Sequence, residues 1–525
     1  MRLPYLPVGS ISRETVDVFL GYDHNLRIGD GAFFDMENLT SDCYPVLSPR
    51  NARGVYARPA SPQGLIGKDV LCYVDGAELV VGEQRINLGL STAAKDCPKQ
   101  LVSMGAYVII LPDKKYLNTA SVEDHGSIEA SVTVKARLSP CDENGEDLPE
   151  GAFLRLAAPG IGGPFRVGDG VRLSGVAELE GTAVIQARGE DFLVIPGLAV
   201  QAEEVTVTVA RRMPDMDFLI ESENRLWGCR YAEGVNEIYA SKLGDFRNWN
   251  CFQGLSTDSF AASCGSDGPF TGAVTHLGIP LFFKETCVHK VYGSYPATFS
   301  VRTTACRGVQ RGCGRSLAIV NETLYYKSRS GICAYDGSLP VEVSQALGGV
   351  RYTGAVAGAI GSKYYVSLEG QDGWHLFVYD TAKGLWHRED SLQAVAFCAF
   401  QGELYCIDGR SRNILTLLGS GEAIEEAVTW MAQTGELALE DPDRKYLSRL
   451  SLRLQVEPGT EAELLARYDG GPEWVSLCVI HSTRLQSITV PVTPRRCDHL
   501  ALQLRGRGGM KLYGITKTLQ KGSDR

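Results

Sequence analysis

The sequence has no long apolar stretch. Its longest uninterrupted run, Ala394 to Phe400, is seven residues, against the ~20 that a membrane helix needs. The first residues, Met1-Arg2-Leu3-Pro4-Tyr5-Leu6-Pro7, lack the apolar core of a signal peptide. Both absences speak against membrane insertion and classical secretion. Helix signals are scarce, since no sustained 3.6-residue apolar stripe carries caps at its ends. A basic excess is missing too. The 525 residues hold 52 Lys+Arg against 62 Asp+Glu, a formal net charge of -10. That argues against a general nucleic-acid binder, which needs a basic face to displace counterions, and no specific nucleic-acid partner is expected.

Motifs that carry chemistry are also lacking. The eight histidines form no HExxH pair, and there is no GxxxxGK[ST] loop, no GxGxxG between a strand and a helix, and no GxSxG elbow. The Ser-x-Asp-x-Gly-x-Thr-Trp box of sialidases is absent. The 15 cysteines include no CxxC pair. The tightest spacing is Cys306 and Cys313, with no zinc-type partner nearby. Several lie among apolar neighbours, as in Phe397-Cys398-Ala399-Phe400, which fits buried free thiols in a reducing compartment. The expectation is a chain with no cofactor, no metal and no catalytic residue, hence not an enzyme.

What is present is glycine, 58 residues of 525, and a recurring pattern of short β-type runs separated by Gly, Asp, Asn and Ser. The runs repeat. Gly278-Ile279-Pro280-Leu281-Phe282-Phe283 is followed by Asn321-Glu322-Thr323-Leu324-Tyr325-Tyr326, Gly361-Ser362-Lys363-Tyr364-Tyr365-Val366 and Gly402-Glu403-Leu404-Tyr405-Cys406-Ile407. The anchors Leu281, Leu324, Tyr364 and Leu404 are 43, 40 and 40 apart. Weaker matches occur at Val70–Val74, Tyr107–Ile110 and Asn224–Cys229. A period of ~40–50 residues with several strands per unit is that of a propeller blade. The sequence therefore predicts an all-β fold whose body is a β-propeller of about seven blades.

The domain reading follows from breaks in that rhythm. Residues 1–60 form an N-terminal arm leading into the first blade, and 61–118 with 214–418 form the propeller. Residues 119–213 lose the anchor spacing but hold five short β runs, read as an inserted small β-barrel or sandwich. Residues 419–446 read as a linker in which Ala427–Met431 supplies an extra strand. Residues 447–525 read as a C-terminal β-sandwich, with strict alternation in Ser451-Leu452-Arg453-Leu454-Gln455-Val456. Residues 441–525 hold 14 Lys+Arg and 9 Asp+Glu, a net of +5 on a chain that is otherwise acidic.

Interaction surfaces are the remaining functional signal. Trp249 and Trp374 lie in more polar surroundings, which makes them the candidate surface contacts among six tryptophans, with core or hairpin packing as the leading alternative, and Arg495, Arg496 and Arg507 mark the basic C-terminal region. Asp336, Asp380 and Asp408 are the carboxylates to weigh for glycosidase chemistry. Each follows an apolar or aromatic residue near a turn, where Asp caps its own backbone.

The arm, with Asn38-Leu39 and Tyr44-Pro45-Val46-Leu47-Ser48-Pro49-Arg50, resembles virion proteins of tailed bacteriophages and prophages. So do Asn236-Glu237-Ile238-Tyr239-Ala240-Ser241 and Gly244-Asp245-Phe246-Arg247-Asn248-Trp249. With the repeats, these are similar to the tail accessory, or stabilisation, proteins at the neck of short-tailed phages. Pro494-Arg495-Arg496-Cys497-Asp498-His499 and Gly506-Arg507-Gly508-Gly509 also look like structural proteins of prophages. The resemblance implies a non-enzymatic virion structural protein assembled in the bacterial cytoplasm. It would act as an oligomeric ring component among other tail or neck proteins. The alternative is a propeller whose rim recognises a host surface glycan or protein, and the last is a propeller glycoside hydrolase.

Overall fold

The computed structural model describes residues 11–175, 180–198, 202–439 and 443–521. The missing signal-peptide core was read from residues 1–7, which lie outside them. The chain is all-β: strands alternate with turns and a few single 3-10 turns, and the described residues contain no α-helix. It divides into two compact units, Ala60–Gly314 and a second made of Met1–Pro59 with Arg315–Arg525.

The unit Ala60–Gly314 contains four antiparallel sheets of four consecutive strands each. The first runs from Pro62–Gly67 to Gln84–Asn87, the second from Gln100–Met104 to His125–Ser127. The third runs from Phe218–Ser222 to Phe260–Ser263, the fourth from Gly272–His276 to Ser300–Ala305. Period-2 alternation explains how neighbouring sheets pack. In Tyr107–Leu111, Val108 and Ile110 join Cys72, Val74 and Leu79 of the first sheet. Ile109 and Leu111 join Leu219 and Leu226 of the third. Trp227, Cys229 and Ile238 then meet Phe282 and Val291 of the fourth.

Between the second and third sheets the chain builds a seven-stranded sheet with its own core of Leu154, Leu156, Phe165, Val171, Leu193, Ile195 and Val207. Its order runs Gly181–Val184, Gly170–Ser174, Glu203–Arg211, Ala130–Cys141, Phe153–Ala157, Phe192–Pro196, Ala187–Arg188. The two edge strands are consecutive in sequence, joined by Ile185 and Gln186 alone. At ~3.3–3.6 Å per residue the sheet must curl until its edges lie within about 10 Å. The ladder does not close, which corrects the barrel expectation: edge strands of four and two residues carry too few ladder groups to finish a ring. Ala130 and Arg211 are register partners, so this segment leaves and returns at adjacent points.

The other unit holds three further sheets: Ala318–Val320 to Val341–Glu342, Gly354–Ile360 to Leu385–Arg388, and Ala394–Phe400, Glu403–Asp408 and Ile414–Thr416. The last of these is completed by Gly54–Ala57, which pairs with Ile414–Thr416, and by Glu422–Ala423. Leu404, Cys406 and Leu415 pack with Val55 and with Tyr365, Leu376 and Val378 of the preceding sheet. The repeat anchors Leu324, Tyr364 and Leu404 each sit in the second strand of a sheet, as does Leu281 in the other unit. The two-residue turns before them explain the punctuation. Asn321-Glu322 and Gln401-Gly402 have both φ positive, the geometry that matches the twist of flanking strands.

Besides two two-stranded ladders, Gly21–Tyr22 with Ala32–Phe33 and Leu39–Thr40 with Ser48–Pro49, two more sheets complete this unit. One orders Ile11–Val16, Met510–Lys521, Lys445–Val456 and Gln486–Val490. The other orders Asp35–Glu37, Thr429–Gln433, Leu500–Arg507, Glu461–Tyr468 and Val475–Ile480. The arm therefore does more than lead into a sheet, because its strands are the edges of both. The segment read as a linker contains Thr429–Gln433, a strand paired on both sides, with Trp430 buried and its Nε1 donating to the Gly508 carbonyl. Arm and sheets are stitched by buried charge. Arg53 donates to Glu389 and Asp390 at 2.9 and 2.6 Å, and Arg50 to Glu425 and Asn38 at 2.7 Å each. Burial alone would raise Asp390 and Glu425. The charges and hydrogen bonds of Arg53 and Arg50 outweigh it and hold both below the usual carboxylate range.

Candidate functional site

The sequence-selected residues do not converge. Trp249 is 3% exposed and packs with Met104, Tyr116 and Phe246, its Nε1 donating to the Phe246 carbonyl. This corrects its reading as a surface contact. Its polar neighbours are themselves part of a buried knot: Asn248, 1% exposed, accepts from the Gly170 amide and donates to Asp245 and Asp169. Trp374 is half-buried in a hairpin, paired with Glu369. Asp336 caps the amide of Ser338, and Asp408 those of Arg410 and Ser411. Asp380 is buried, accepts from Ser41 and Lys383, and caps Ala382. All three carboxylates are engaged in turns.

Arg507 is exposed at one end of the five-stranded sheet, beside Glu461, its register partner. There it lines a groove of about 860 Å³ with Lys511, Glu457, Thr460 and Glu426. Arg495 lies at the opposite end of strand Glu461–Tyr468, eight residues away, or about 23 Å.

That second end gathers charged, aromatic and imidazole side chains from separate segments. The hairpin after Tyr468 turns at Asp469 and Gly470, both with positive φ. The Asp469 carboxylate accepts from the amides of Asp498 and His499, which ties this hairpin to the segment holding Arg495 and Arg496. The Arg495 guanidinium lies 4.9 Å over the Tyr468 ring, and that of Arg467 lies 5.0 Å over Trp474, which is half-buried. Arg467 also donates to Glu436 Oε1 at 2.5 Å. His499 Nδ1 is 3.0 Å from Asp498, which it holds below its ordinary value, and Nε2 is 3.9 Å from Glu436 Oε2. Glu436 Oε2 and Arg467 Nε are buried atoms with no hydrogen bond among the described residues. Burial pushes the Tyr468 hydroxyl up, keeping it a donor. Arg496 is exposed in the same segment.

The half-buried Trp474 ring with Arg467 stacked on it, beside acidic and imidazole groups, forms a surface suited to a flat polyhydroxylated ligand, while Tyr468, 8% exposed, lies beneath the exposed Arg495. Rings supply apolar area, and planar polar side chains supply paired hydrogen bonds. Sequence reasoning found Arg495 and Arg496, counted Trp474 among the six tryptophans able to stack on a sugar, quoted His499 only within the Pro494–His499 segment, and missed Glu436 and Arg467. The Gly470-Gly471-Pro472 turn beside Trp474 is the one local signal that marks an exposed hairpin.

No protein-family model and no curated protein matches the chain. Solved structures similar to it include the phage phi92 endosialidase, at TM-score 0.27 and 11% identity over 76% of this chain and 75% of that one. An exo-beta-1,3-galactanase from Phanerochaete chrysosporium, solved with galactose, is similar at TM-score 0.24 and 10% identity, covering 57% of this chain and 94% of that one. A glycoside hydrolase is similar at TM-score 0.22 and 10% identity, over 57% and 96%. Likeness at this level assigns neither activity nor substrate. The expectation that the chain is not an enzyme is withdrawn: it stood on an empty search for local motifs alone, and the similar structures are named as enzymes. The physical reason lies in the inference itself. Glycosidic chemistry needs two carboxylates that the fold brings together from separate strands, so an empty search for local motifs does not exclude it.

Proposed function

We propose that this chain is a host-glycan recognition module of a phage or prophage tail, with a propeller body. The observation that carries glycan recognition is the Arg467–Trp474, Arg495–Tyr468 and Glu436–His499 cluster at the end of the C-terminal sheets. The propeller reading is supported by six four-stranded ladders and a seventh of five strands, with shared cores between the first and second, second and third, third and fourth, and sixth and seventh. It is also supported by Gly54–Ala57, which completes the last ladder from the start of the chain. That is the device by which a ring of sheets joins its ends and removes exposed edges. The tail setting, with other tail or neck proteins as partners and the virion as location, rests on the resemblance of the arm and of Asn236–Trp249 to virion proteins.

The test is binding of the full chain to arrayed bacterial surface polysaccharides, followed by calorimetry on those retained. Trp474→Ala and Glu436→Gln are each expected to weaken binding by tenfold or more, consistent with the ~1–3 kcal/mol that stacked or charge-assisted contacts contribute. Retention of no polysaccharide, or affinity unchanged in both variants, overturns the reading. Chain-length analysis of the retained polymer after incubation distinguishes recognition from cleavage.

A further inference from the structure

The N-terminal arm ends its first turn in a side chain with nothing to cover it. Leu26 is 93% exposed, more than any other large hydrophobic side chain among the described residues. Arg27 beside it is exposed, and among the described residues no carboxylate of its own chain pairs with it. Two residues further on, Ile28 enters the wall of a pocket of about 240 Å³ between the arm and the C-terminal sheets. Phe19, Phe33, Leu502 and Ile515 give that pocket an apolar lining. Its rim carries three carboxylates, Glu14, Asp30 and Glu436, to one ammonium, Lys517. Lys517 bridges Glu14 and Asp30 at 2.9 Å each, and the side chains of both acids remain 40% or more exposed.

We propose that this pocket receives Leu26 of a second copy of the chain, with Arg27 of that copy on the carboxylate rim. The pocket is below the ~300 Å³ at which drug-sized sites begin, a size for one aliphatic side chain. The knob is apolar and followed by a cation, while the hole is apolar and ringed by net negative charge, so the two surfaces are complementary in both respects. Knob and hole are two residues apart in the chain and share one patch. The contact is therefore isologous: each copy of a two-fold dimer inserts its Leu26 into the other, and assembly closes at two. Glu436 belongs both to this rim and to the glycan-recognition cluster, so the test rests on Leu26, Arg27 and Asp30, which that cluster does not include.

Sedimentation velocity on the full chain at micromolar concentration tests it, with circular dichroism to confirm that each variant is folded. The wild type is expected to dimerise. Leu26→Asp is expected to weaken the dimer by about tenfold or more, as for a central interface anchor. Arg27→Glu and Asp30→Arg, each alone, place like charges at the rim and are expected to weaken it, while the double variant R27E/D30R is expected to recover association. Recovery by charge exchange is a readout that mere damage to the arm does not produce. A monomeric wild type, a Leu26→Asp variant that dimerises normally, or a double variant weaker than either single one overturns the proposal.

Discussion

The inserted sheet and the C-terminal pair of sheets solve the same problem in opposite ways. Both must bury one face of short strands beside a larger stack of sheets. The insert does so with contiguous chain, as all seven strands fall between Ala130 and Arg211 and its core is its own. The C-terminal sheets cannot be made from contiguous chain. Ile11–Val16 and Asp35–Glu37 close their edges from some 400–500 residues away, and the Arg50–Arg53 network fixes the arm in place. The lesson is that separability depends on where edge strands originate, and not on sheet size.

Removing each borrowed or contiguous segment gives the largest contrast. Deleting residues 11–49 is expected to abolish hydrogen-exchange protection of strands Lys445–Val456 and Met510–Lys521. Excising 131–210 and joining the ends by a short glycine linker is expected to leave the first four sheets protected, because Ala130 and Arg211 are already ladder neighbours. Protection of Met510–Lys521 that survives loss of the arm would break the comparison.

Next in size are the buried charges. Arg53→Ala leaves Glu389 and Asp390 with Arg50 alone, 3.7 Å from each, and urea unfolding is expected to show a loss of about 3–5 kcal/mol in its unit. Arg211→Ala strands only Asp169, so its loss is expected at or below the low end of that range. Equal losses would mean that the arm network is no more than a single pair.

Acid titration sharpens the contrast between units. Burial pushes His387 down to about 3 and His289 to about 4. His289 sits neutral between the hydroxyls of Ser266 and Thr303. A depressed native pKa means that the unfolded chain binds the extra proton, so the stability is full above about 6.5 and falls as pH drops toward the native value. Each histidine contributes a slope of about 1.4 kcal/mol per pH unit in that window. Melting curves between pH 7 and pH 4.5 are expected to flatten in His387→Asn for the arm-containing unit and in His289→Asn for the other. A variant as acid-sensitive as the wild type would count against the buried neutral form. The smallest effect is expected from Asn248→Ala, a loss of about 1–3 kcal/mol confined to the attachment of the insert, read as faster exchange at Gly170.

How much the sequence revealed follows the same division. Leu281, Leu324, Tyr364 and Leu404 announced their strands because second strands are apolar throughout and follow a two-residue turn. The arm strands were illegible, since Asp35-Met36-Glu37 offers one apolar side chain and its pairing partner lies at Met431–Gln433. Trp249 misled because Asn248 and Asn250 resemble a wet loop, although Asn248 spends its polarity on buried partners. The Trp474 cluster drew its members from positions 436, 467, 474 and 499, which only the fold brings together.

The strand Gly54–Ala57 has a consequence for biosynthesis. It leaves the ribosome early, yet its ladder partner Ile414–Thr416 is decoded roughly 360 codons later. At ~5–20 residues per second this is a wait of about 20–70 s. Throughout that interval the nascent chain carries Val55 and Tyr56 in a strand whose ladder partner has not yet been made.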